Sequence, residues 1–244
     1  MDDKLLVITP PERLAQLRRD FVPAHPVYRV GQGGRLFRVG QANPRGGAMV
    51  LDTHGFDGGT DVAGLCRQVA HECGVRSFCA VVCDGYVPRQ VAAGLDEVLT
   101  RRNVDLYVPE QMGEYTANAR VMIGSALSGG SLACRLQEAV ERFGGTERVA
   151  LRVERVAEDF FLPAPSGCGK ALGERELSAM MTRLKPAVFF SDELCARYFT
   201  YMTPEGGAHF VLFDDATTVR KKLQVARRLG ICRAVARFEQ VEDI

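Results

Sequence analysis

Four segments near the C-terminal end decide the reading: RVALRVERVAEDFFLPAPSG (148–167), VFFSDELCARYFTY (188–201), HFVLFDDATTVRKKLQVARRLG (209–230) and ICRAVARFEQ (231–240). Val149, Leu151 and Val153 alternate with Arg152 and Glu154, which is the two-residue period of a strand. Leu162-Pro163 and Ala164-Pro165 then interrupt regular structure, because proline lacks the N–H that a strand or helix uses. Val188-Phe189-Phe190 and His209–Phe213 are short aromatic and β-branched runs of the strand type, and Glu205-Gly206-Gly207 between them reads as a turn. Asp214-Asp215-Ala216-Thr217 supplies a cap for a following helix, since an Asp side chain there satisfies free N–H groups at the positive helix end. Val219, Leu223, Ala226 and Leu229 fall on one face of that helix, Gly230 ends it, and Val235 marks a closing strand. The stretch therefore reads as strand, long loop, helix, two short strands, helix and last strand.

Working outward toward the N-terminus, the same rhythm repeats. Leu5–Ile8 reads as a strand and Pro11–Arg19 as a short helix. Two alternating runs flank Gly31-Gln32-Gly33-Gly34, as in a β-hairpin over 26–39. Ala48–Asp52, Ser77–Cys83, Val104–Val108 and Ala119–Gly124 are apolar runs of strand length. Helical spacing of apolar residues covers 61–73, 88–102 and 131–143, with Pro88 suited to a first turn. Alternating strands and helices imply a parallel sheet with right-handed crossovers. We expect one α/β domain over residues 1–244, with no internal repeat or linker. An open, doubly wound sheet satisfies the same pattern.

The C-terminal segments resemble the end of a glycoside hydrolase family 18 barrel, the chitinase-like fold, and in particular its spore-associated N-acetylglucosaminidase branch. That branch has Tyr-Gly-Tyr-Asp-Trp before Leu-Pro, a Pro-Tyr-Phe-x-Tyr run, and His-x-Val-Trp-Phe-x-Asp before a capped helix. Val156–Phe160 with Leu162-Pro163, Ala196–Tyr201 and His209–Asp215 are similar to these in turn. The likeness covers about the last 90 residues and extends weakly to Val104–Glu110, which resembles the Met-x-Tyr-Asp strand. It implies a TIM-barrel-like (β/α) parallel barrel, incomplete or irregular at its N-terminal end.

The departures bear on chemistry. The family's general acid closes an Asp-x-x-Asp-x-Glu run at the end of the fourth strand, and no such run occurs here. The nearest piece is Leu51–Gly58, LDTHGFDG, with no Glu in the acid position. The Tyr of Met-x-Tyr-Asp is replaced by Pro109 and its Asp by Glu110. The last-strand Trp is also missing, with Arg237 and Phe238 nearest, and the chain has no Trp at all. Sugar rings stack on flat aromatic faces, of which Trp is the largest. The resemblance therefore implies the fold without the usual hydrolysis.

Composition narrows the classes. Charged residues are 25% with a net charge of +1, so no broad field points to nucleic acid or a membrane surface. No apolar run approaches the roughly 20 residues of a membrane span, and the first residues lack the features of a signal peptide. The eight cysteines include no CxxC pair. They are expected to be reduced and mostly buried in a cytoplasmic protein, and a zinc site has no ligand spacing to support it. No motif calls for a cofactor. Oligomeric state is not written in the sequence.

Sites in parallel α/β folds gather at the carboxyl ends of the strands. Those ends carry Asp52 with His54 and Asp57, Asp84 with Tyr86, Glu110 with Glu114 and Tyr115, then Ser125 and Ser128, then Glu154, Glu158 and Asp159, and finally Arg237 and Glu239. Asp52, Asp84 and Glu110 are candidate catalytic carboxylates, as in the paired carboxylates of glycosidases. Glu110 is favoured because it ends an apolar strand where the family keeps an Asp. Asp57, Tyr86, Tyr115, Glu154, Asp159 and Arg237 are candidate ligand contacts. Turn chemistry alone also places Asp at strand ends, so each carboxylate has an ordinary explanation. Ser125–Ser131 is a Gly-rich run before a helix, a potential anion cradle or simply an N-cap, and His209 reads as a structural histidine within a strand. Three functions remain: a non-hydrolytic barrel binding a glycan, small molecule or protein partner; a hydrolase with relocated carboxylates; and a phosphate-ligand enzyme using Ser125–Ser131.

Overall fold

A computed structural model describes residues 4–56, 59–164, 167, 169–204 and 206–244. Asp57, Cys168 and Glu205 lie outside the described residues. Eight parallel strands form the centre: β1 (Lys4–Ile8), β2 (Val22–Gly31), β4 (Ala48–Asp52), β5 (Ala80–Asp84), β6 (Asp105–Pro109), β7 (Arg120–Gly124), β8 (Val149–Val153) and β14 (Arg233–Arg237). Their order around the sheet is β1-β14-β8-β7-β6-β5-β4-β2, and β1 also pairs with β2. That last pairing closes the barrel and excludes the open sheet.

The barrel is irregular toward its N-terminal end, as expected: the β2–β4 register shifts between His25 and Tyr28, and several crossovers lack an α-helix. A 3-10 turn at Pro11–Gln16 stands between β1 and β2, where a short helix over 11–19 was expected. The hairpin partner β3 (Arg35–Arg38) stands between β2 and β4, and another 3-10 turn, Glu110–Tyr115, lies between β6 and β7. Helices α1 (Val62–Arg76), α2 (Arg89–Thr100) and α3 (Leu132–Phe143) pack outside the remaining strands. The Asp61 side chain accepts from the Gly64 N–H, and Ser131 does the same for Cys134. Ser131 is thus an N-cap, the plainer of the two uses open to the Ser125–Ser131 run.

Strand alternation sorts the core into two layers. Leu6, Ile8, Ala24, Ala48, Val50, Ala80, Val82, Tyr107, Met122, Ala150 and Val235 fill the barrel interior. The intervening residues, Leu51, Val81, Cys83, Leu106, Val108, Val121, Ile123, Val149, Leu151 and Val153 among them, face the helices. Ala24, Ala48 and Ala80 are register neighbours on three adjacent strands. These small residues leave room for Tyr107 and Met122, which enter from other strands, so the barrel centre is packed and not open.

Between β8 and β14 the chain builds a second sheet of five antiparallel strands, ordered β10-β9-β13-β12-β11: β9 (Ala157–Leu162), β10 (Lys170–Ala171), β11 (Phe189–Ser191), β12 (Ala196–Met202) and β13 (Ala208–Phe213). β9 was expected as loop, and β12 was not anticipated as a strand. One face, with Phe199, Val211 and Phe213, packs on Met180 of α4 (Glu174–Leu184). The other face groups Phe160, Tyr198, Phe210 and Leu212. Helix α5 (Ala216–Arg228) then leads back to β14, and a single turn, α6 (Phe238–Val241), follows.

Asp215 and Thr218 form a reciprocal capping box on α5, whereas Asp214 turns inward to the Lys222 ammonium at 2.6 Å, both side chains being fully buried. Lys222 also donates to the Glu154 carbonyl, and Asp214 accepts from the Val156 N–H. This pair rivets the second sheet and α5 to the end of β8. Val149, Leu151, Val153, Val211, Phe213 and Val235 are all buried, as expected. Of the seven described cysteines, Cys66, Cys73, Cys83 and Cys195 are buried, Cys232 is half-buried, and Cys79 and Cys134 are exposed; all are free thiols. Burial pushes the thiol of Cys66 up to about 11 and those of Cys73 and Cys83 to about 12. Among the described residues no helix is long and apolar enough to cross a membrane, and no group of metal-ligating side chains assembles.

Candidate functional site

The inward period of each strand continues past its apolar residues to its carboxyl end. There it places Asp52, Asp84, Arg152, Glu154 and Arg237 at the barrel mouth. A cavity of about 280 Å³ opens at this end, lined by Ile8, Val82, Met122 and Val235 below and by Asp84, Arg152, Glu154, Arg155, Arg237 and Gln240 above. Asp84 stands between two guanidiniums. Arg237 Nη2 lies 2.5 Å from Asp84 Oδ2, and Arg152 Nη2 lies 3.5 Å from Oδ1. Arg152 reaches Glu154 Oε1 through its Nε at 2.9 Å. The chain turns sharply after Asp84 at Gly85, whose φ of +111° suits glycine, and the Thr53 hydroxyl donates to the Asp84 carbonyl.

Glu154 is held from behind. The buried Ser125 hydroxyl accepts from its N–H at 2.9 Å and donates to its carbonyl at 3.2 Å, while Lys222 donates to the same carbonyl. Gly124 leaves the space the carboxylate occupies, since a Cβ there would sit 2.7 Å from Glu154 Oε2. Arg155 closes the outer wall: its N–H donates to Gln240 Oε1, its Nε to the Gln240 carbonyl, and its guanidinium pairs with Asp243.

The other candidates lie around this centre. Asp52 is the register neighbour of Asp84 on the adjacent strand but faces Arg29 at 2.9 Å and His54 Nδ1 at 2.6 Å. Burial alone would raise the Asp52 carboxyl; the hydrogen bonds from His54 and Arg29 outweigh it and hold the group below the usual carboxylate range. Tyr86, 71% exposed, lines a neighbouring hollow with Gly85, Pro109, Met112 and Arg152. The Tyr115 ring lies under the Arg89 guanidinium at 4.4 Å.

Two residues are placed differently from the expectation. Glu110, the favoured carboxylate, follows β6 outside the interior register and pairs with Arg135 of α3 at 2.8 Å; it does not line the cavity. Asp159 lies in the second sheet, where it accepts from Tyr201 Oη at 2.8 Å and meets His209 Nδ1 at 3.0 Å, with the Tyr201 and His209 rings stacked at 4.5 Å. His209 is thus a structural histidine, and Asp159 is its partner and not a mouth residue. Burial, then Asp159, raises the Tyr201 phenol to about 12.

Sequence reasoning missed Arg152, which bridges Asp84 and Glu154. Its signal was present: it occupies the inward register of β8, two residues after Ala150. It also assigned LDTHGFDG as the nearest match to the family's fourth-strand motif. That piece begins on β4, the third barrel strand. The fourth is β5, whose inward residues are Ala80, Val82 and Asp84, so Asp84 is the one carboxylate on that strand. An aromatic row was missed as well. Phe160, Phe210, Tyr198 and Phe189 follow one another across the face of the second sheet opposite α4, with centroids 6.1, 5.2 and 5.5 Å apart and the last two pairs stacked. Phe189 is 53% exposed.

No protein-family model matches the sequence, and no curated relative matches it either. Solved structures do match. The spore cortex-lytic enzyme SleL of Bacillus megaterium superposes with a TM-score of 0.61 at 14% identity, over 97% of this chain and 70% of that one. A chitinase from Chromobacterium violaceum gives 0.62 at 13% identity, over 96% and 93%. YKL-39, solved in the presence of chitooligosaccharides, gives 0.61 at 10% identity, over 98% and 93%. Together with the closed eight-stranded barrel and the antiparallel sheet inserted after its seventh strand, these matches show that the chain has the chitinase-like, glycoside hydrolase family 18-like fold.

Proposed function

We propose that this chain is a non-hydrolytic member of the chitinase-like fold that binds a glycan at the carboxyl end of its barrel. One observation carries the reading: the fourth barrel strand brings a single carboxylate to the mouth, Asp84, and both of its oxygens face guanidiniums. Glycosidic cleavage needs a protonated acid aimed at the leaving oxygen, a contribution of roughly 10²–10⁴-fold. An oxygen already engaged by Arg152 or Arg237 is not placed to deliver that proton. The remaining features suit binding. Polar groups ring an apolar floor, the usual make-up of a small-ligand cavity. The described cysteines are free thiols, two of them exposed, which supports a cytoplasmic, reducing compartment as part of this reading. Sequence and fold are read as one unit over residues 1–244.

A second reading has one specific support. Asp84 and Glu154 share the cavity, and two carboxylates are the equipment of an atypical glycoside hydrolase. Titrating chitotetraose into the wild type and Arg152→Gln separates the two. Saturable binding that weakens in Arg152→Gln, with the sugar recovered intact, supports the binding protein. Recovery of shortened sugars supports the hydrolase.

A further inference from the structure

We infer that the barrel mouth selects a sugar carrying a carboxylate over a neutral chitin oligomer, an inference that rests on the glycan reading above. Its basis is the balance of open donors and acceptors on the cavity wall. Arg237 uses Nη2 on Asp84, and its Nε and Nη1 have no partner among the described residues, while 53% of its side chain is exposed. Gln240 accepts from the Arg155 N–H through Oε1, so its amide Nε2 donor is also without a partner among the described residues. Arg152 Nη1 is a fourth donor without a partner among the described residues, and against these four nitrogens the wall offers one open carboxylate oxygen, Glu154 Oε2, because Oε1 meets Arg152 and both oxygens of Asp84 meet guanidiniums.

A hydroxyl brings a donor together with its acceptor, so a neutral sugar leaves part of this wall unmatched. A carboxylate brings acceptors only, and its two oxygens fit a guanidinium edge side by side, here the edge that joins the second Nη2 hydrogen of Arg237 to Nε or to Nη1. Glu154 Oε2 is then matched by a ring hydroxyl. The complement of the wall is therefore one carboxylate beside at least one hydroxyl, the chemistry of a sugar acid. A cavity of about 280 Å³ sits at the small end of ligand pockets and suits one such ring. Asp84 and Glu154 balance Arg152 and Arg237 in charge, so selection is by donor geometry and not by a net field. Asp84 retains Arg152 when Arg237 turns its free edge to the ligand.

The test uses two tetrasaccharides that share N-acetylglucosamine: neutral chitotetraose, and a hyaluronan tetrasaccharide that alternates it with glucuronic acid. Calorimetry on the full chain should show the hyaluronan fragment binding at least about tenfold tighter, the scale of a charge-assisted contact. Arg237→Gln should remove most of that preference. Gln240→Glu keeps the acceptor for Arg155 and leaves the Asp84 pairs in place, so it guards against misfolding as an explanation. It should weaken the acidic fragment more than it weakens chitotetraose, whose hydroxyls can also act as donors to the new carboxylate. Equal affinity for the two sugars, or tighter binding of chitotetraose, overturns this inference and leaves the glycan reading standing. Failure of both sugars to bind overturns both.

Discussion

The barrel and the sheet inserted after its seventh strand each contain a carboxylate next to basic or hydroxyl partners, with opposite consequences. In the barrel the strands are covered on both faces, the outside by helices, 3-10 turns and β3 and the inside by the opposing strands, so the polar groups open to a ligand stand at the strand ends. Asp84, Arg152 and Arg237 stand at such an end, over a cavity, and part of their hydrogen-bonding capacity faces open space. In the second sheet Asp159, Tyr201 and His209 lie on the face that packs against α4, where they satisfy one another. Position relative to a cavity, more than position at a strand end, separates a candidate binding group from a structural one.

The link between the two regions should give the largest effect. Lys222→Ala leaves Asp214 buried without its counter-charge and removes a donor from Glu154, and breaking such a pair from one side costs about 3–5 kcal/mol. Urea unfolding would measure it; a loss under 1 kcal/mol would mean the two regions hold together without the rivet. Leu151→Ala, in the barrel wall, should cost about 2–5 kcal/mol by the same assay, the usual range for a core leucine, and a negligible loss would contradict the packing of β8 against the helices.

A smaller effect separates the regions by pH. Burial and then Asp159 raise the Tyr201 phenol from its ordinary value near 10 to about 12. Stability from this group is therefore complete below pH 10 and is lost as pH rises toward 12. Tyr201→Phe should flatten the alkaline arm of the stability curve, and an unchanged arm would show that the phenol is not held in its neutral form by the fold. The smallest change is expected at Glu110. Glu110→Gln removes a half-exposed ion pair with Arg135, worth at most about 1 kcal/mol, and should leave sugar affinity at the barrel mouth unaltered. A clear loss of affinity would restore Glu110 to the site.

The two regions also differed in how readily they could be read. Barrel strands are covered on both faces and appear as continuous apolar runs such as Ala80–Cys83, set between helices with three-to-four-residue periodicity; eight of them imply a closed sheet once the C-terminal resemblance is added. In β9 and β12 the aromatics interleave with charged and polar groups, as in Ala157-Glu158-Asp159-Phe160-Phe161, because the partners of those polar groups come from strands distant in sequence. Nothing local distinguishes that pattern from a loop. The candidate site was legible as a rim of carboxylates but not as a set. Arg152 looked like the polar half of an alternating strand, Lys222 lay outside the apolar set of Val219, Leu223, Ala226 and Leu229, and Glu110 looked like a mouth residue. Which of them faced the cavity depended on the barrel register, and a register is set by pairing between strands.

The central claim is that the barrel mouth binds sugar without cleaving it, because Asp84 is engaged by Arg152 and Arg237. Its most direct test is prolonged incubation of the protein with chitotetraose and with peptidoglycan fragments, followed by mass spectrometry of the sugars. The account predicts intact oligomers and no released N-acetylglucosamine. Steady release that disappears in Asp84→Asn would contradict it and identify Asp84 as a working acid.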